Sequence, residues 1–329
     1  VSTATSNLEA VSRLAPLVRR AGTRSQRLGR PVLASLTAHL GPAPDYDPGA
    51  IVAQRDAFIW DQPQRGFALA AAGHAIRLTA TGASRFEDVR SRLTRLLDEA
   101  VIEQDSGAAL RPAPISFAGF AFDPAHPDDV AWFGFPEAMA VLPRILFARS
   151  GAHLFFSANV MAGPDTDPLT CATDLRNDIE RLLAQPDAGG VETVTRYLDP
   201  GAEARAYWND SVAGLTGRIA SGEADKVVLA RRVQAETAGG FDLRAVLQRL
   251  RHRYGDCTVF AVRSGEDACF LGATPETLVS LQGRAVHADC LAGSAARGAT
   301  EAEDAALGAA LLADDKERRE HGFVARSLQ

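Results

Sequence analysis

The sequence predicts a layered α+β fold, and three features carry that expectation. Long strand-like apolar runs fill the first half, amphipathic helical segments stand beside them, and the second half alternates helices with short strands. In order, residues 6 to 20 show helical spacing, with Leu8, Val11, Leu14, Leu17 and Val18 on one side. A polar passage rich in Pro and Gly follows at 41 to 50. Strand-like runs come next: Phe67 to Ala71, Ala75 to Ala80, Ile115 to Phe122, Ala138 to Ala148 and Ala152 to Val160. Between them, Phe86, Val89, Leu93, Leu96 and Leu97 give residues 85 to 101 one buried helical face. A helix at roughly 168 to 184 closes this region.

Gln185 to Thr193, with Pro186, Gly189 and Gly190, reads as a linker. It divides a first part, 1–190, from a second, 191–329. The second part reads as a helix over 203–221, a strand at Lys226 to Val233 and a helix at 242–253. Strands at 257–264, 268–272, 277–281 and 284–289 come next, then a helical region from near Thr300 with room for an interruption. No capping or terminating residue marks the last positions, Ser327 to Gln329, so further chain is expected there.

Composition narrows the function classes. A net charge of −6 disfavours general affinity for nucleic acid or anionic membranes. No apolar run is long enough for a membrane span, and the first thirty residues lack a signal-peptide core. The five arginines from Arg19 to Arg30 read as a charged first helix rather than a transit peptide. Four cysteines, at 171, 257, 269 and 290, show no metal-ligand spacing and are too sparse for a disulfide scaffold, so a reducing cytoplasm is the expected location.

Three segments of the second part carry chemistry. In Ser221-Gly-Glu-Ala-Asp-Lys-Val-Val-Leu-Ala-Arg231, period-two alternation puts Lys226 beside Val228 and Ala230. It reads either as a poorly solvated ammonium or as a solvated lysine at a strand edge. In Phe270-Leu-Gly-Ala-Thr-Pro-Glu-Thr-Leu278, Pro275 stiffens the junction that holds Glu276, which is either a surface turn residue or a positioned acid. The third segment begins Leu291-Ala-Gly-Ser-Ala-Ala-Arg-Gly298, where Gly293 and Ser294 present backbone amides and a hydroxyl. It ends in Asp314-Asp-Lys-Glu-Arg-Arg-Glu-His321, where Glu317 and Glu320 share a helical face. That face suits a hard cation, or equally a solvated helix with Lys316 and Glu320 as an ion pair.

Together and in this order, Lys-Val-Val-Leu-Ala-Arg, Leu-Gly-Ala-Thr-Pro-Glu, Leu-Ala-Gly-Ser-x-x-Arg-Gly and Asp-Lys-Glu-x-x-Glu-His resemble the chorismate-binding, or chorismate-utilising, enzyme family. The resemblance is dense over 203–323 and implies a fold of two face-packed β-sheets flanked by helices, here incomplete at the C-terminus. A missing part would leave an apolar face and sheet edges uncovered.

The resemblance also assigns roles. Lys226 becomes the base that activates water for attack at C2 of chorismate, and Glu276 the acid that protonates the departing C4 hydroxyl. Glu320 becomes a ligand of Mg2+ with Glu317 beside it, while Ala292, Gly293 and Ser294 line the substrate pocket. Water needs deprotonation and hydroxide needs protonation before either serves. For Lys226 to act near pH 8, its pKa must fall by about two from the reference near 10.4, roughly 3 kcal/mol.

Within the family, ammonia-using members carry glutamine at the position of Lys226, and aminodeoxychorismate synthase carries lysine at that of Ala292. Lysine at 226 with alanine at 292 therefore points to water as the nucleophile, hence to isochorismate synthase activity for menaquinone or siderophore biosynthesis. No Gly-x-Cys-x-Gly elbow is present, so no glutaminase subunit is expected as partner. Salicylate synthase and an inactive, truncated homologue are the alternative expectations. Leu291 before Ala-Gly-Ser and the long N-terminal region favour isochorismate synthase.

Overall fold

The computed structural model describes residues 5–105, 114–123, 132–184, 196–198, 201–265 and 268–328. The chain divides into two compact units, Val1–Val191 with Asp242–Thr274, and Glu192–Phe241 with Pro275–Gln329. Most of the linker expected at 185–193 lies outside the described residues.

The first unit opens with 3₁₀ turns at Thr5–Arg13 that lead into helix α1 (Leu14–Leu28). The apolar stripe read from the sequence is buried, and the arginines of α1 point away from it. The helix runs eight residues past the expected end at 20. It stops where Gly29, at φ 68°, donates its N–H to Ser25, a left-handed cap that glycine adopts without steric cost.

The remaining elements of this unit are β1 (Val32–Pro42), β2 (Asp56–Gln62), β3 (Phe67–Ala72), β4 (Ile76–Ala80), α2 (Arg85–Asp98), β5 (Val101–Gln104), β6 (Phe117–Phe120), β7 (Ala138–Leu142), β8 (Ile145–Ser150), β9 (His153–Ala162), α3 (Pro168–Leu183), α5 (Leu243–Arg253), β12 (Thr258–Ser264) and β13 (Ala268–Thr274). Eight strands form one sheet in the order β13-β12-β2-β3-β8-β9-β1-β5, antiparallel except for the β1–β5 pair. A three-stranded antiparallel sheet runs β4-β7-β6.

One face of the large sheet buries Leu36, Phe147, Phe156 and Val259 with Leu17 of α1 and Ile179 of α3. The other face packs Phe58, Leu69 and Leu146 against Met139 and Val141 of the small sheet. The expected face-packed sheets with outer helices are therefore present. The run Ala138 to Ala148, expected as one strand, is two. Pro143 breaks it, so β7 joins the small sheet and β8 the large one.

Charges stitch the late elements α5 and β12 to the early ones. Arg244 of α5 donates to Asp47 at 2.9 Å, Arg251 pairs with both Asp47 and the fully buried Asp61, and Arg263 donates to the Val52 carbonyl at 2.9 Å.

The second unit holds β10 (Arg196–Leu198), α4 (Gly201–Ala220), β11 (Gln234–Glu236), β14 (Ser280–Gln282), β15 (Ala285–His287), α6 (Glu301–Ala313) and α7 (Asp315–Leu328). β10 pairs with β11, and β14 with β15. This unit leaves Val228, Leu278, Leu281, Leu291 and Leu312 exposed, and neither α4 nor α6 buries a residue.

The expected strand at Lys226 to Val233 is corrected here. These residues run without strand pairing and are exposed, and only the following Gln234–Glu236 pairs. A lone extended segment gains no ladder hydrogen bonds, so apolar alternation alone does not make it a strand. The strands expected at 277–281 and 284–289 shrink to the short hairpin β14–β15 for the same reason.

Candidate active site

All of the residues singled out from the sequence belong to the second unit. Lys226 stands in the unpaired segment after α4, five residues beyond the turn that ends that helix at Ser221. It is exposed, which differs from the partial burial its expected strand would have supplied. Glu276 follows β13 and Pro275 and is also exposed.

Its neighbour Thr277 donates its N–H to Asp289 at 3.2 Å, and Asp289 returns its own N–H to the Thr277 carbonyl at 3.4 Å. This closes the β14–β15 hairpin, so the Glu276 segment lies next to Cys290, where the Leu-Ala-Gly-Ser loop begins. Asp289 was not singled out from the sequence. Its signal is positional, because an Asp just outside a hairpin accepts backbone donors that the ladder leaves over.

The loop is fixed at both ends. At its start, Cys290 Sγ lies 3.4 Å from Nε2 of His321 on α7. In the middle, Gly293 adopts φ 84° and sits so close to α7 that a Cβ there would stand 2.6 Å from Oε2 of Glu317. The backbone conformation favours glycine, and any larger residue would make the Glu317 carboxylate move aside. At its end, Arg297 donates through Nε and Nη2 to the two oxygens of Asp304, each at 2.7 Å, and Gly298 N–H donates to Asp304 at 2.9 Å. Such a bidentate pair adds geometric definition as well as charge. The Arg297 guanidinium holds the Asp304 carboxyl below the usual carboxylate range.

Two caps set the helices that receive the loop. Thr300 accepts the N–H of Glu303 at 3.2 Å, and Glu303 reaches back to the N–H of Ala299 at 2.9 Å, the reciprocal logic of a capping box. Asp314 caps α7 by accepting the N–H groups of Lys316 at 2.8 Å and Glu317 at 3.0 Å, which lowers its pKa. The cap places Glu317 in the first turn of α7, with Glu320 one turn on. Lys316 Nζ lies 3.2 Å from Glu317 and 3.8 Å from Glu320, and the hydrogen bond to Glu317 raises its pKa.

The structure thus brings Gly293, Glu317 and Glu320 into one neighbourhood and ties the Glu276 segment to the same loop. Ala292 is half-buried and Ser294 exposed on that loop. Among the described residues no group of three or more His, Cys, Asp or Glu side chains converges on a metal position. Two carboxylates one turn apart are nonetheless a hard-oxygen set of the kind Mg2+ accepts, since that ion retains waters and takes one or two protein carboxylates beside oxygens of the substrate.

Residues 19–329 match the family described as chorismate binding enzyme. The chain is 33% identical over 341 residues to the salicylate biosynthesis isochorismate synthase of Pseudomonas aeruginosa, covering 97% of this chain and 68% of that protein. It is 25% identical over 292 residues to isochorismate synthase MenF of Bacillus subtilis, covering 87% of this chain and 61% of that one. Its fold is similar to that of MenF, the menaquinone-specific isochorismate synthase from Escherichia coli. The TM-score is 0.70 at 23% identity, over 92% of this chain and 67% of that structure. This chain therefore spans about two thirds of the length of these relatives. Among the described residues no helix is long and apolar enough to cross a membrane. On the extent of the family match and the identity to the Pseudomonas protein, the chain belongs to the chorismate-binding enzyme family.

Proposed function

We propose that this chain carries isochorismate synthase chemistry: water adds at C2 of chorismate and the C4 hydroxyl leaves. The observation that carries the reading is lysine at 226 with alanine at 292, in a chain that matches proteins named isochorismate synthases along most of its length. Residues 191–329 supply the reacting groups, and residues 1–190 most of the sheet body, which β12 and β13 complete.

In this reading Lys226 takes a proton from the attacking water through Nζ, and Glu276 gives one to the departing C4 oxygen. The loop at Ala292, Gly293 and Ser294 borders the substrate, with the Gly293 conformation allowing close approach. Glu317 and Glu320 would hold Mg2+, which when bound supplies positive charge for a carboxylate-rich substrate. Lys316 lies within ion-pair distance of both carboxylates and neutralises part of their charge. Water as nucleophile calls for no ammonia-supplying partner. The four thiols are all free, as suits a reducing cytoplasm, and the product would feed a menaquinone, salicylate or siderophore route.

The test is turnover of chorismate with and without Mg2+, in the presence of ammonium, with products separated by chromatography. Isochorismate formed only with Mg2+ is the expected result. Anthranilate would overturn the choice of water, and salicylate with pyruvate as the main products would move the assignment to salicylate synthase.

A further inference from the structure

The end of the β1–β9 ladder in the first unit carries a pair of histidines that the chemistry above does not use. His39 lies opposite Phe155, and His153 is two residues along β9 on the same face. Beyond His39 the register shifts in a β-bulge, so that Pro42 rather than Gly41 stands opposite His153. Gly41 sits at φ 107°, a conformation that favours glycine. Bulges of this kind re-aim side chains. The result is His39 Nε2 at 3.1 Å from His153 Nδ1, with the His39 ring tilted against Phe155 at 4.8 Å between centroids.

We propose that His39 and His153 chelate a divalent transition cation such as Zn2+. Two imidazole nitrogens bound to one zinc at about 2.0–2.1 Å stand roughly 2.9 Å apart at a right angle and about 3.4 Å apart at the tetrahedral angle. The observed separation falls inside that interval; the two nitrogens share a hydrogen bond, which chelation replaces as both rings turn their lone pairs toward one ion.

The charge around the pair also favours a cation. Asp105 accepts the His39 backbone N–H at 3.1 Å, and Arg13 pairs with Glu103 at 2.7 Å and Asp105 at 2.8 Å. Two carboxylates thus face one guanidinium, which leaves one negative charge beside the imidazoles. Imidazole selects zinc, copper and nickel over magnesium, so this site and the carboxylates of α7 prefer different ions. Both rings reach solvent, and water fills the other coordination positions. Binding to the folded chain alone would staple β1 to β9 and raise the melting temperature with metal concentration.

The experiment is calorimetric titration of the protein with Zn2+, with Mg2+ in excess to occupy oxygen sites, alongside thermal melts. One zinc equivalent is expected, with affinity reduced by about tenfold or more in both His39→Asn and His153→Asn, by the scale of losses at metal sites. His74→Asn, which alters an imidazole paired with Asp56 at 3.0 Å, should leave zinc affinity unchanged. In parallel, imidazole nitrogen NMR of the unmodified protein should show the His39 and His153 signals moving together at one equivalent. Zinc affinity that is unchanged when His39→Asn and His153→Asn are combined, or an equivalent bound with both signals unmoved, overturns the proposal. So does the absence of any zinc binding.

Discussion

Gly293 and Glu317 are packed so that one methyl group on the glycine would collide with the carboxylate of the glutamate, at 2.6 Å from Oε2. The loop at Gly293 is therefore packed directly against Glu317 of α7. Gly293→Ala forces a left-handed alanine, costing about 1–2 kcal/mol, and displaces Glu317 as well. Chorismate turnover should fall about tenfold or more, with half-saturation shifted to higher Mg2+. A magnesium titration of initial rates checks this, and an unchanged titration would show that Glu317 does not serve the cation.

Lys226→Ala and Glu276→Ala should each abolish measurable turnover, since a positioned proton-transfer group contributes roughly 10²- to 10⁴-fold. Chorismate binding, followed by equilibrium dialysis, should persist in both, because neither side chain is assigned to holding the substrate. Near-normal rates in either variant would remove that residue from its role.

How legible these features were depends on what each residue answers to. The α1 stripe of Leu8, Val11, Leu14, Leu17 and Val18 follows a single helical period facing one sheet, so the sequence displays it directly. The strand β1 went unread although Ser35, Thr37 and His39 alternate with Leu36, Ala38 and Leu40; what the sequence conceals is that the polar set is largely buried too, since β1 is covered on both faces. β2 was missed for a related reason: its Asp56 and Asp61 read as surface, yet Asp61 is fully buried against arginines distant in sequence. Lys226 to Val233 erred in the other direction, since alternation cannot report whether a neighbouring strand exists. The loop and α7 were legible as motifs, whereas Asp289 and Asp304, which hold that loop in place, emerge only from pairings across folded turns.

The Arg297–Asp304 clamp gives a pH prediction. The folded pKa of Asp304 is lowered, so the clamp's stabilisation is fully present above the unfolded value near 3.9 and is lost only as pH falls through the folded one. Between about pH 5 and 9 the clamp does not titrate. Asp304→Asn should therefore raise the KM for chorismate by a similar factor across that range and leave the shape of the pH profile intact. An acid limb above pH 5 that disappears in the variant would show that Asp304 itself titrates in catalysis.

The contact between Arg251 and Asp61 joins α5 to β2 across 190 positions of sequence, at a carboxylate with no exposure to solvent. Burial pushes the Asp61 pKa up, while Arg251 and Arg149 pull it down. Arg251→Met would leave Asp61 with Arg149 at 3.7 Å as its remaining partner, and breaking a buried pair in this way costs about 3 kcal/mol. Without Arg251 the folded pKa of Asp61 rises further, and a carboxyl with a raised folded pKa destabilises most above that value. The loss should therefore be largest near pH 8 and shrink as pH falls and Asp61 takes up a proton. Adding Asp61→Asn to Arg251→Met should recover most of the stability at pH 8. Thermal melts of the single and double variants at pH 5 and 8 measure both effects. Equal losses at the two pH values with no recovery in the double variant would mean that Arg251 acts through the packing of its aliphatic stem and not through its charge.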